Sequence, residues 1–134
     1  MKQVIILILI TLFFSFYSCE KKDPNAVDLS VDFTWDGYAN CGMGLPQMSI
    51  GGIPENTKFL KISMYDHEYG FDHGEVKIGY EGSGTIQRGS FKDITGPCPP
   101  PNNPGRYEIT VKALDGNEMV VGVGSKERYF PEDK

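Results

Sequence analysis

The chain has 134 residues, with 13 basic against 18 acidic side chains and a formal charge of −5. Its lysines and arginines are scattered along the sequence, which argues against a nucleic-acid partner or an anionic membrane face. Its length suits one domain rather than two.

Lys2 precedes an almost wholly apolar run, Val4 to Tyr17, broken only by Thr11 and Ser15. That run is shorter than the ~20 apolar residues needed to span a bilayer core. It ends at Ser18-Cys19, and the composition then switches to Glu20-Lys21-Lys22-Asp23. A positive start, a short apolar run and a small residue at its end form the pattern of a cleaved export signal over residues 1–18. Phe16-Tyr17-Ser18-Cys19 is similar to a bacterial lipobox, with Phe16 where an aliphatic residue is usual. Cys19 is therefore expected to become the lipidated first residue. One acyl chain binds marginally at roughly 0.8 kcal/mol per buried CH₂, whereas several make a durable tether. The expected location is exported and lipid-anchored to a bacterial membrane, at the outer membrane or cell surface.

Removal of residues 1–18 leaves 116 of the 134 residues and takes the formal charge from −5 to −6, because Lys2 is lost. Residues 20–28 (EKKDPNAVD) are charged, carry Pro24 and lack periodicity. With Cys19 they read as a tether over 19–28. From residue 29 the pattern has period two. Leu29, Val31, Phe33 and Trp35 alternate with Ser30, Asp32 and Thr34. Leu60, Ile62 and Met64 alternate with Lys61 and Ser63. Val76, Ile78 and Tyr80 form a third run, Tyr107, Ile109, Val111 and Ala113 a fourth, and residues 118–123 (EMVVGV) a further apolar strand. Such runs between Gly, Pro and Asn clusters mark half-buried antiparallel strands. No helical stripe persists for three turns, and 16 glycines with 9 prolines punctuate the chain. The pattern predicts an all-β, two-sheet antiparallel sandwich over residues 29–134 with little or no helix.

Two segments could carry chemistry. Asp66, His67, Glu68, Asp72, His73 and Glu75 crowd the end of the Leu60–Met64 run. They could ligate a metal or line a pocket whose protonation neighbours tune, or they could form an ordinary acidic turn. Their spacing matches neither an EF-hand loop nor HExxH, so no metal is assigned. Gly96 to Gly105 holds five prolines within eight residues, which no central strand tolerates because proline lacks the backbone donor. It predicts a stiff loop, able to hold binding groups at low entropic cost. Cys41 and Cys98, in an exported domain, suggest one disulfide, with two free thiols as the alternative. The chain lacks a G-x-S-x-G elbow, a P-loop, a Rossmann fingerprint and a CxxC pair. A Cys98–His73 nucleophile and base can be drawn, but a disulfide would abolish it.

The same two segments, in this order, resemble the phosphatidylethanolamine-binding proteins, specifically their bacterial Raf-kinase-inhibitor-like branch. Phe33-Thr34-Trp35-Asp36-Gly37 resembles FTCDG, and residues 45–58 (LPQMSIGGIPENTK) resemble SPPLSWSGAPEGTK. Tyr65-Asp66-His67-Glu68 stands where DPD occurs, and His73 where the WHW histidine falls. Gly96-Pro97-Cys98-Pro99-Pro100-Pro101, then Arg106-Tyr107 and Ala113-Leu114-Asp115, resemble GPCPPP, HRY and ALD. The likeness spans roughly residues 33–123. It implies a Greek-key sandwich with a small anion pocket at one end, formed here by Asp66, Glu68, His73, Pro99 and Tyr107. The chain departs from the pattern at Glu68 for Asp, at Asp72 and Gly74 for the tryptophans, and at Gly105 for the HRY histidine. It is also shorter between His73 and Gly96, and between Asp115 and the last strand. The resemblance also implies Cys41 and Cys98 near the pocket.

The expected function is non-enzymatic: a membrane-anchored lipoprotein binding a small phosphate- or carboxylate-bearing ligand or phospholipid head group, without a cofactor or metal. The competing readings are a surface interaction lipoprotein with a decayed pocket, or an inhibitor with a protein partner, and, from the 66–75 cluster alone, a hydrolase or metal site.

Overall fold

The computed structural model describes residues 19–132; the proposed leader at 1–18 lies outside them. Eight strands run in chain order: β1 (Lys22–Asp28), β2 (Ser30–Thr34), β3 (Gln47–Gly51), β4 (Phe59–Asp66), β5 (Phe71–Gly79), β6 (Thr85–Ile86), β7 (Gly105–Leu114) and β8 (Val120–Phe130). They form a five-stranded sheet, β1-β8-β7-β4-β5, and a three-stranded sheet, β2-β3-β6. The described residues contain no helix, as the glycine and proline punctuation predicts.

Alternation in sequence becomes alternation between core and solvent. Leu60, Ile62 and Met64 of β4 and Ile109, Val111 and Ala113 of β7 face inward and are fully buried. Val31 and Phe33 of β2 with Met48 and Ile50 of β3 complete the core from the other sheet. Each large side chain so buried contributes about 1.5–3 kcal/mol relative to exposure. The predicted runs all fall within or against strands, and the last extends to Phe130, beyond its apolar start.

The N-terminal segment differs from expectation. Residues 22–28, read as tether, form β1, and the sandwich therefore begins before residue 29. β1 pairs in parallel with β8, a departure from a wholly antiparallel sheet. Its side chains are mostly exposed, so it has no hydrophobic alternation to detect. Main-chain pairing at a sheet edge holds it, and an edge strand accommodates the missing donor of Pro24.

Three features position one end of the sandwich. In the β4–β7 ladder, Asp66 lies opposite Tyr107. In the β4–β5 ladder, Met64 pairs with Gly74 but Tyr65 pairs with Asp72, leaving His73 as an extra residue at a bulge. Gly74 takes a φ of 109° there, a conformation that side-chain-bearing residues rarely adopt. Strict alternation from Val76 and Ile78 would have sent His73 outward, and the bulge re-aims it to the buried face. Finally, the Pro-rich loop is tied down: Cys41 N donates to Pro97 O (2.7 Å) and Gly96 N to Gly42 O (2.9 Å). Cys41 and Cys98 form a disulfide, with Cα atoms 4.3 Å apart and a sequence separation of 57.

Candidate functional site

At this end a cavity of about 430 Å³ is lined by Asp66, Tyr69, Phe71, His73, Thr95, Gly96, Cys98, Pro99, Pro100 and Tyr107. Four of the five residues expected to bind ligand therefore border it: Asp66, His73, Pro99 and Tyr107. Glu68 does not. Its side chain is exposed on the β4–β5 turn, while its backbone N–H donates to Asp66 Oδ1 at 2.8 Å.

Asp66 is 2% exposed. Because a buried carboxylate is costly without donors, its partners matter. Oδ1 accepts from the backbone N–H groups of Glu68 and Tyr69, at 2.8 and 3.2 Å, so Asp66 organises the turn that follows β4. Tyr107 lies opposite Asp66 in the β4–β7 ladder. Burial, reinforced by the Asp66 carboxylate beside it, pushes the Tyr107 phenol well above the ordinary tyrosine range. Tyr107 is therefore neutral.

His73 Nδ1 lies 2.8 Å from the carbonyl oxygen of Thr95. A carbonyl only accepts, so Nδ1 must carry the proton. Nε2 is then the nitrogen left for chemistry: an acceptor on the neutral ring and a donor on the imidazolium. Edge-on contacts to Phe71 and Tyr107, with ring centroids 4.8 and 5.3 Å away, fix the imidazole plane. Thr95 also returns its N–H to His73 O at 3.0 Å, so the loop and the bulge hold one another.

Gly105 gains a physical explanation. A Cβ at this position would lie 2.6 Å from both Cε2 and Cζ of Tyr107. The Tyr107 ring folds back over the glycine and occupies the space a larger side chain would need. Behind it stands Trp35, whose ring centroid is 5.8 Å away. Gly105→Ala should consequently lower stability by about 1–3 kcal/mol through overpacking. Chemical denaturation of the variant checks this, and an unchanged midpoint would show that the Tyr107 ring yields freely.

Sequence reasoning missed Tyr69, Phe71 and Thr95. Phe71 shares the cavity with His73, and the period-two pattern hid both because of the bulge. Thr95 carries no local signal, since only the long connection from β6 brings it to the site.

The crowded 66–75 segment does not act as one cluster. His67 points to the outer face of the larger sheet, where Nε2 lies 3.6 Å from Glu108 Oε1 and 3.7 Å from Glu127 Oε1. Among the described residues, these three alone bring metal-ligating atoms together, all within 4.8 Å. Arg106 holds the other Glu127 oxygen at 3.1 Å, so the patch also serves as an exposed ion-pair network.

CT736 of Chlamydia trachomatis D/UW-3/CX, described as a phosphatidylethanolamine-binding protein homologue, is similar in structure with a TM-score of 0.51. The chain has the phosphatidylethanolamine-binding-protein fold. Sequence identity to CT736 is 18%, over 81% of this chain and 99% of that one. Escherichia coli YbcL, described as a member of the mammalian PEBP family, matches at 19% identity over 87% of this chain and 93% of its own, with a TM-score of 0.48. No family model and no curated protein matches the sequence. Within this phosphatidylethanolamine-binding-protein fold, the cavity lies at the end where β4 finishes and β7 begins.

Proposed function

We propose that this chain is a non-enzymatic, lipid-anchored binding module whose end cavity takes a small phosphate- or carboxylate-bearing group. The observation that carries the reading is the convergence of Asp66, His73 and Tyr107 on one cavity, walled by the disulfide-held Pro99 loop. The motif resemblance and the shared fold support membership of the same family. Neither Lys nor Arg lines the cavity, so the positive partner for an anion is the His73 imidazolium through Nε2. Asp66 is itself engaged by two backbone amides, those of Glu68 and Tyr69. Export and anchoring rest on the lipobox-like Phe16-Tyr17-Ser18-Cys19.

Calorimetry with inorganic phosphate and phosphoethanolamine at pH 5.5 and pH 8 tests the reading. Trp35, the chain's one tryptophan, packs against Tyr107 and gives a second readout through its fluorescence. Binding at either pH supports the module. Absence of binding at both, in folded protein, favours a surface interaction lipoprotein. That second reading draws support from Tyr69 and Phe71, which stand 47% and 54% exposed beside the cavity and offer an apolar contact to a protein partner.

A further inference from the structure

The strand register fixes which end of the sandwich the N-terminus occupies. β4 and β7 run antiparallel, with Phe59 opposite Leu114 at one end and Asp66 opposite Tyr107 at the other. Asp66 and Tyr107 line the cavity. Cys19 borders a groove with Lys61, Glu75 and Lys77 on the outer face of the larger sheet and with Leu114, Asn117 and Glu118 at the hairpin joining β7 to β8. From Tyr107 to Leu114 is seven strand steps, roughly 23 Å at ~3.3 Å per residue.

The segment after Cys19 has no slack. Lys21 O accepts from Val120 N at 2.8 Å, and β1 begins at the next residue. Between the cysteine and that first main-chain bond lies only Glu20. Its carboxylate bridges Lys61 of β4, at 3.1 Å, and Lys112 of β7, and these two ion pairs hold it below the ordinary carboxylate range. A flexible linker of twenty residues would let a domain turn over on its anchor, but a lipidated Cys19 here is attached almost directly to the sheet.

We infer that the end of the sandwich formed by Cys19 and the β7–β8 hairpin seats against the anchoring bilayer, so that the cavity opens away from it. The inference rests on the lipid-anchor reading and narrows the ligand's source. The cavity draws its phosphate- or carboxylate-bearing partner from the aqueous side, and head groups of the anchoring leaflet lie beyond its reach.

The test uses the full lipidated chain in vesicles of phosphatidylethanolamine and phosphatidylglycerol, with a nitroxide head-group quencher. A fluorophore is placed by Asn117→Cys at the hairpin or by Asn103→Cys beside the cavity, both at exposed positions. The expected result is quenching several-fold stronger at residue 117 than at residue 103. Equal quenching, or the reverse, in protein that floats with the vesicles overturns the orientation and leaves the anchor standing. Vesicle flotation separates the two claims: wild type that does not float, or Cys19→Ala that still does, removes the anchor reading and this inference with it. In a second arm, soluble phosphoethanolamine should change Trp35 fluorescence on vesicles lacking phosphatidylethanolamine. A response to phosphatidylethanolamine placed in the anchoring bilayer instead would overturn the inference.

Discussion

Replacing both Cys41 and Cys98 by serine should lower the stability of the domain by about 4 kcal/mol. The bond joins positions 57 apart, and in the chain-entropy view a loop of that length restricts the unfolded chain strongly. The loss is large against the 5–15 kcal/mol that typically holds a domain folded. For a domain of this size it corresponds to a fall in melting temperature of roughly 10–20 °C. The effect should extend to the site, because Cys98 and Pro99 both line the cavity. Without the bridge, the loop retains the Cys41–Pro97 and Gly96–Gly42 main-chain bonds, so the variant is expected to fold. Thermal unfolding of the double variant, beside reduced wild type, measures the effect. A loss below ~1 kcal/mol in both would mean that those main-chain bonds alone define the loop. The double variant, rather than a single one, avoids a reactive unpaired thiol.

His73→Ala should weaken binding of phosphate or phosphoethanolamine at pH 5.5 by roughly one to two orders of magnitude, matching the ~1.5–3 kcal/mol of a hydrogen bond to a charged group. An imidazolium N–H donates to an anion, and because Nδ1 is bound to the Thr95 carbonyl, Nε2 is the nitrogen left for a ligand. A merely structural role would lower stability without a matching loss of affinity in the folded protein. Circular dichroism checks that the variant is folded, since it also loses the Thr95 bond and the contacts to Phe71 and Tyr107. Unchanged affinity in folded His73→Ala would sink the assignment of His73 as the ligand's charged partner.

What the sequence determined by itself was set by local physics. Period-two alternation in Leu60–Met64 and Tyr107–Ala113 specifies strands with one buried face, because side chains on a pleated chain alternate. Five prolines between Pro97 and Pro104 specify a loop, since they remove the donors a ladder needs. Those rules, with the motif resemblance, were enough for an all-β sandwich and for four of the residues that line the end cavity. Tertiary structure decided the rest, because each remaining point depends on a long-range partner. β1 was invisible as a strand: its polar, exposed residues gain order only from the edge of β8. His73 turns inward only through a bulge relative to β4, so strict alternation assigns it the wrong face. Glu68 sits two residues from Asp66, yet their side chains part where β4 ends and the turn begins. Gly105 reads in sequence as a missing imidazole, whereas in the fold the Tyr107 ring lies over it. The placement of Cys19 at the end opposite the cavity follows from register alone, which one-dimensional spacing does not encode.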